Sequence, residues 1–241
     1  MKLILDFEQL SIKLFADGAD LNTMVQMSEK TFIKGLTTNP TLMRKAGITN
    51  YKIFALEVLQ TIKSKPISFE VFSDDIEEMI TQGMEIASWG QNVNVKIPVT
   101  NTKGQSTAKA IKYLTRQGIP INVTAILTID QVKRVLEAAE QTTNIYISVF
   151  AGRIADTGRD PIPMMRHCLE IMSGINSAEL IWASPRELLN IVQANEIGCH
   201  IITSTPDILK KIELIGKDLE QYSLETVRMF RNDAVASGYK V

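Results

Sequence analysis

The chain has 241 residues, 45% of them hydrophobic and 22% charged, with a formal net charge of −1. That length fits one domain of barrel size or two small ones, and the near-neutral balance supplies no global field to draw nucleic acid or an anionic membrane. No apolar run approaches the ~20 residues that span a bilayer, and the stretch Leu3-Ile4-Leu5 is too short for a signal peptide, so a cytoplasmic protein is expected.

Eight short runs, most of them rich in Ile, Val or Phe, read as strands. They are Lys2–Asp6, Phe32–Thr37, Ile67–Phe72, Val93–Pro98, Pro120–Ile126, Asn144–Phe150, Glu179–Ala183 and Cys199–Ile202. Between most of them the spacing predicts helices: Asp74–Ser88, Ser106–Arg116, Thr128–Glu140, Pro161–Met172, Pro185–Ala194 and Pro206–Ile215. Ser73 is placed to cap the first of these, and three of them start at a proline, which a first helical turn tolerates. Strands alternating with helices indicate βαβ units and a parallel sheet; eight in this length indicate a closed (β/α)8 TIM barrel over residues 1–216. An open doubly wound sheet is the alternative, but Asp6-Phe7-Glu8-Gln9 lacks the Gly-rich turn it would want. The tail, about Lys217–Ala236, reads as an additional C-terminal helix, so 217–241 is a helical extension that packs on the barrel or reaches a neighbouring subunit.

Strand residues alternate sides, and in a barrel one set faces inward. In successive strands Ser68 and Glu70, Asn94 and Lys96, Asn122 and Thr124, and Ser148 share the phase opposite the aliphatic set. Burying so many polar groups is costly unless they satisfy one another. A single such residue is better explained by a packing ion pair, such as Lys96 with Glu70. Aligned groups on four adjacent strands point instead to an active site at the C-terminal end of the barrel.

Lys96 is the centre of that reading. A lysine amine is a nucleophile only when neutral, and desolvation favours the neutral form. A neutral amine can attack a ketone and form an iminium, an electron sink for breaking a carbon–carbon bond. Protons must then be moved, and Asp6, at the end of the first strand, and Glu70 are the candidate acid/base groups. For Asp6 the competing role is to cap a helix starting near Phe7.

Basic residues follow the later strands: Arg153 after the sixth, Ser184 and Arg186 after the seventh. A guanidinium suits phosphate by geometry and permanent charge, and Ser184 precedes a helix expected to begin near Pro185, whose free N–H groups favour anions. Rival chemistries lack their marks. His167 and His200 are the only histidines, one in a helix and one in the eighth strand, and Cys168 and Cys199 read as buried thiols in a reducing compartment. No P-loop or GxGxxG is present.

Five segments resemble the transaldolase family in its own order: Gly35-Leu36-Thr37-Thr38-Asn39-Pro40-Thr41, Val93-Asn94-Val95-Lys96-Ile97-Pro98, Ile121-Asn122-Val123-Thr124, Ile147-Ser148-Val149-Phe150-Ala151-Gly152-Arg153 and Ala183-Ser184-Pro185-Arg186. The resemblance runs from Asp6 to about Asp207. It implies that Lys96 is the Schiff-base nucleophile and Asp6 an acid/base group, with Glu70 and Thr124 holding a catalytic water. It implies that Asn39, Asn122 and Ser148 bind the hydroxyls of a three-carbon unit, and that Arg153, Ser184 and Arg186 bind phosphate. The implied reaction moves dihydroxyacetone from sedoheptulose 7-phosphate or fructose 6-phosphate to an aldose phosphate, in the pentose phosphate pathway, without metal or organic cofactor.

A fructose 6-phosphate aldolase is built on the same fold and lysine. That branch typically carries glutamine and tyrosine at the positions of Glu70 and Phe150, so transfer is preferred here over simple cleavage. The short chain resembles the compact transaldolase branch, whose members often form decameric homo-oligomers with swapped C-terminal helices. A sugar-phosphate binding protein that has lost turnover is a further alternative, against which the intact set of Asp6, Glu70, Lys96 and Thr124 argues.

Overall fold

A computed structural model of the chain describes residues 10–240. It divides into two compact units, of which Ser11–Leu209 is one. In that unit eight parallel strands close on themselves in sequence order, so that β1 pairs with β8. The strands are β1 Lys13–Asp17, β2 Ile33–Thr37, β3 Ile67–Glu70, β4 Val93–Pro98, β5 Ile121–Ile126, β6 Ile145–Val149, β7 Ala178–Trp182 and β8 Ile201–Ser204. The helices of this unit are α1 Leu21–Glu29, α2 Pro40–Lys45, α3 Tyr51–Thr61, α4 Ile76–Ala87, α5 Ala108–Arg116, α6 Ile129–Ala138, α7 Ala151–Ala155, α8 Ile162–Met172, α9 Leu189–Glu196 and α10 Pro206–Leu209. The fold is a (β/α)8 TIM barrel with a further C-terminal helix, α11 Leu219–Ala236.

The first strand of the closed barrel is therefore Lys13–Asp17, where the sequence reading took Lys2–Asp6. Lys2–Asp6, and with it Asp6, lies outside the described residues. The physical reason for preferring Lys13–Asp17 is connection length. From Asp17 the chain needs only Gly18, Ala19 and the cap Asp20 before α1, whose first turn is held by the Asp20 carboxylate accepting from Thr23 N–H at 2.8 Å. Short βα links of this kind are the common ones.

Local signals set the other helix starts. Asn39 and Asn50 cap α2 and α3, and Thr128 with Gln131 forms a capping box at α6. At α4 the cap is Asp75, which accepts from the N–H groups of Glu77 and Glu78, rather than Ser73. Ser73 instead accepts from Asp75 N–H and donates to Glu78.

The outward strand faces are apolar and dry. Ile67, Phe69, Val95, Ile97, Ile121, Val123, Ile147 and Val149 are fully buried against the helix layer. Each stabilises the fold by about 1.5–3 kcal/mol relative to full exposure. Gly83 lets α4 come close: a Cβ there would lie 2.7 Å from Leu114 of α5 and 3.4 Å from Val95 of β4.

The interior is divided. Phe15, Ile181, Ala183 and Ile201 pack with Tyr146 and Phe150, filling the side formed by β6, β7, β8 and β1. The ring of Phe15 lies over Gly35, where a Cβ would come within 2.5 Å of Cζ, so any side chain there would have to displace the buried ring. The side formed by β3, β4, β5 and β6 carries Ser68, Asn94, Asn122 and Ser148, all buried. An apolar plug on one wall and a polar lattice on the other leave the polar groups to satisfy each other.

The second unit contains a 3-10 turn, Ile212–Leu214, and α11. Asp218 caps α11 by accepting from Gln221 N–H, and Lys217 pairs with Glu225 while its ammonium sits 4.8 Å from the centroid of the Tyr222 ring. Among the described residues no helix is long and apolar enough to cross a membrane.

Candidate active site

A cavity of about 480 Å³ opens among the C-terminal strand ends and the loops that follow them. Lys96 stands in its wall, 7% exposed. Strand register explains its neighbours. Glu70 on β3 and Asn122 on β5 are the direct partners of Lys96 across the sheet, so three chemical groups share one level of the barrel. Lys96 Nζ lies 3.1 Å from Glu70 Oε2 and donates to the Thr38 carbonyl at 2.9 Å. Thr38 is itself fixed, because its hydroxyl and its N–H both donate to the Ser68 carbonyl. The amine of Lys96 is thus held between two walls, at the tip of a stem that is out of water.

Behind it runs a polar chain. Ser148 Oγ donates to Asn122 Oδ1 at 2.7 Å, and Asn122 Nδ2 donates to Ser68 Oγ at 3.0 Å. Thr124, two residues along β5, is buried, lines the cavity and has no hydrogen-bond partner for its hydroxyl among the described residues. Its aim depends on the backbone. Ala125 has φ +61°, and the β5–β6 register shifts between Val123 and Ile126. A non-glycine residue in the left-handed region costs free energy and is kept where the surroundings require it. Here it sets the end of β5, with Thr124 and Ala125 both at the cavity.

The carboxylate on the opposite wall is Asp17, at the end of β1. Thr37 Oγ1 donates to its Oδ1 at 2.8 Å and Asn39 Nδ2 reaches its Oδ2 at 3.4 Å. Burial pushes the Asp17 carboxyl above the usual carboxylate range, against the pull of the Lys96 charge and the Thr37 hydrogen bond; the Glu70 charge adds to the rise. A carboxyl shifted towards neutrality is a better acid/base group near neutral pH. Asp17 escaped the sequence reading because Lys2–Asp6 is the more apolar run and also ends in aspartate. The usable signal was the three-residue link from Asp17 to α1.

Arg153, Ser184 and Arg186 reach the same cavity from the β6 and β7 ends. The expected helix at Pro185 starts instead at Leu189, so Ser184 is not at a helix N-terminus and supplies no dipole there. Ser184 has φ +61°, and its carbonyl presses on Gly152 of α7, where a Cβ would fall 1.6 Å from Ser184 O. Arg186 donates from Nε to Asp156 Oδ1 at 2.9 Å and from Nη1 to Ser184 Oγ at 2.9 Å. The Arg186 hydrogen bonds hold the Asp156 carboxyl below the usual range. Arg153 packs its guanidinium 5.5 Å from the centroid of the Phe150 ring. A ridge of two guanidiniums and a hydroxyl at one end of a cavity is a suitable seat for a phosphate.

Asn39, Glu70, Lys96, Asn122, Thr124 and Ser148 thus line the same cavity as Phe150, Arg153, Ser184 and Arg186. Among the cavity residues to which the sequence reading gave no role are Asp17, Thr37, Lys45 and Thr203. His167 pairs with Glu170 on the surface of α8, and His200 accepts from Leu180 N–H, so neither reaches the cavity.

The fold has wide structural likenesses. Superposition on KGPDC from Streptococcus mutans gives a TM-score of 0.58 at 10% identity, over 85% of this chain and 98% of that one. N-acetylneuraminate lyase from Mycoplasma synoviae gives 0.53 at 10% identity, over 96% and 84%. At such identity these show the barrel alone. Sequence relatives are more specific. The "Probable transaldolase" of Nitrosopumilus maritimus is 33% identical over 203 residues, covering 83% of this chain and 87% of that protein. That of Thermoanaerobacter sp. is 32% identical over 231 residues, covering 95% and 100%. "Probable transaldolase 2" of Listeria monocytogenes is 32% identical over 223 residues, covering 88% and 98%. The profile of the family described as Transaldolase/Fructose-6-phosphate aldolase matches residues 14–240, beginning within β1 and running beyond Asp207 into the tail. This chain belongs to the transaldolase/fructose-6-phosphate aldolase family.

Proposed function

We propose that the protein is a transaldolase acting through a Schiff base on Lys96. The observation that carries this reading is the buried Lys96 amine, 3.1 Å from Glu70 Oε2 in a cavity that also holds Asp17 and the Arg153–Arg186 ridge. The amine attacks the C2 ketone of a ketose phosphate such as fructose 6-phosphate or sedoheptulose 7-phosphate, and the carbinolamine loses water to give an iminium. Glu70 and Thr124 hold the water that relays the protons of this step. The Thr124 hydroxyl, without a hydrogen-bond partner among the described residues, is suited to that contact. Asp17, in the role the sequence reading gave to Asp6, accepts the C4 hydroxyl proton. The C3–C4 bond breaks, its electrons pass to the iminium, and an aldose phosphate departs. The remaining enamine attacks an acceptor aldose phosphate, Asp17 returns the proton, and hydrolysis frees the new ketose phosphate.

Asn39, Asn122 and Ser148 hydrogen-bond the dihydroxyacetone unit. Arg153, Ser184 and Arg186 seat the phosphate. Phe150 favours transfer, since a phenyl group cannot protonate the enamine, whereas a phenol could. This chemistry needs no cofactor and belongs to cytoplasmic pentose phosphate metabolism. We also propose homo-oligomerisation, decameric in the branch the chain resembles. Exposed Leu219, Tyr222, Val227, Phe230 and Val235 on α11 support it, because assembly would cover them. Light scattering that returned a monomer would refute that part.

Borohydride trapping tests the chemistry. The protein is incubated with fructose 6-phosphate, with and without erythrose 4-phosphate, reduced and digested for mass spectrometry. A reduced three-carbon adduct on Lys96, diminished by the acceptor and absent in Lys96→Met, is expected. Absence of an adduct with both fructose 6-phosphate and sedoheptulose 7-phosphate would overturn the reading.

A further inference from the structure

The barrel closure between β8, β1 and β2 brings together two hydroxyls that the reaction scheme leaves unused. Thr37 on β2 is the register partner of Asp17, and Thr203 on β8 is the register partner of Phe15, two residues before Asp17 on the same inward face. Thr37 Oγ1 lies 2.8 Å from Asp17 Oδ1 and 2.6 Å from Thr203 Oγ1. Both threonines are buried, 2% and 7% exposed, and both line the cavity.

Proton counting fixes the direction of this chain. A threonine hydroxyl has one hydrogen to donate, and an ionised carboxylate only accepts. With Asp17 ionised, the Thr37 hydrogen goes to Asp17, and the hydrogen between the two threonines comes from Thr203. When Asp17 takes a proton, the order can reverse. Asp17 then donates to Thr37, Thr37 to Thr203, and the Thr203 hydrogen turns to the cavity. Hydrogen bonds in such a chain polarise one another.

We infer that Thr203 and Thr37 are positioning residues that pin one oxygen of Asp17 and bias it towards the carboxylate form it needs as the base for C–C cleavage. Among the described residues the other hydrogen bond to Asp17, from Asn39 at 3.4 Å, is too long to do this alone. The charged groups facing Asp17 pull in opposite senses: Lys96 from β4 favours the carboxylate, Glu70 from β3 disfavours it, and burial disfavours it most. Thr37 and Thr203 therefore act together with Lys96 against burial.

The assignment of a base role to Asp17 rests on the transaldolase reading; the hydroxyl chain itself does not. The test uses the full-length protein and the variants Thr37→Val, Thr203→Val and Thr37→Ser. Valine keeps the branched shape a strand favours, and serine restores the hydroxyl. Infrared spectroscopy follows the Asp17 carboxyl against pH, its band identified by loss in Asp17→Asn. The pH profile of kcat for fructose 6-phosphate with erythrose 4-phosphate is measured in parallel.

Thr37→Val is expected to raise the Asp17 midpoint by about one pH unit, a hydrogen bond to a charged group being lost. Thr203→Val raises it less, and Thr37→Ser returns it to the parent value. The acidic limb of kcat moves with the midpoint while KM changes little. Unchanged midpoints in Thr37→Val and Thr203→Val, with parent-like melting curves, would overturn the inference. Should Thr37→Val not fold, Thr203→Val decides alone, since it leaves the Thr37–Asp17 contact in place. A parent protein with no turnover would sink the transaldolase reading and leave the infrared arm to judge the hydroxyl chain.

Discussion

Replacing Gly152 by alanine is the most direct perturbation of the ridge proposed to seat phosphate. The new Cβ would fall 1.6 Å from Ser184 O and 2.7 Å from Ser184 C. Those neighbours are backbone, so no side chain can swing away. Ser184 has little slack, because its φ of +61° already sits in the left-handed region, at a cost of about 1–2 kcal/mol for a residue with a Cβ. Overpacking of this kind costs about 1–3 kcal/mol, and a backbone clash belongs at the upper end. Alanine is the better helix former, but that returns at most about 1 kcal/mol. A net loss of about 2 kcal/mol corresponds to a melting temperature lower by about 4–8 °C for a chain of this length. The larger effect is on function. If Ser184 and Arg186 shift by about 1 Å, activity falls by up to about 100-fold. The loss should appear mainly as a raised KM for fructose 6-phosphate, while borohydride trapping of unphosphorylated dihydroxyacetone on Lys96 continues. The assays are a thermal melt and steady-state kinetics on Gly152→Ala. A parent-like melting temperature together with an unchanged KM would refute the argument that Gly152 is there to admit the Ser184 carbonyl.

Phe150→Tyr should shift the balance from transfer to cleavage, read as glyceraldehyde 3-phosphate released from fructose 6-phosphate without acceptor; an unchanged ratio would remove Phe150 from the specificity argument. Burial pushes the thiols of Cys168 and Cys199 up to about 12, so neither should react with a thiol reagent at pH 8 in the folded protein, and both should react in denaturant. Fast labelling of the native protein would contradict their burial. Burial also holds His200 below its ordinary value of 6.5, with Glu179 opposing and Lys13 assisting. The unfolded chain then binds a proton more readily than the folded one, so stability is full above about 6.5 and declines as pH falls towards the depressed value. In His200→Asn, the difference in melting temperature between pH 7.5 and 5.5 should shrink; an equal difference would assign that pH dependence elsewhere.

The inward set on β3 to β6 was legible from strand period alone. Alternation puts Glu70, Lys96, Asn122 and Ser148 in one phase, and register then sets Glu70 and Asn122 beside Lys96. The alternation rule failed where the backbone departs from a regular strand. Phe72, expected to end the third strand, lies beyond the end of β3, where the chain has turned, its N–H held by Gln82 and the residue 53% exposed. The helix read from Pro185 begins at Leu189, because the chain first turns through the left-handed Ser184 and Arg186 N–H is taken by Asn190 Oδ1.

Local pattern therefore determined seven of the eight barrel strands, six of the ten helices described around them, the barrel and the lysine at its centre, because periodicity and caps act over a few residues. Tertiary structure decided which aspartate ends the first strand, that Gly152 must yield to Ser184, and that Thr203 backs Thr37 against Asp17. Each of these depends on barrel closure or on neighbouring loops. Thr203 and Asp17 lie at opposite ends of the barrel unit and meet only when β8 pairs with β1. No spacing rule along the chain carries that distance; it follows from the tilt and stagger that a closed sheet of eight strands requires.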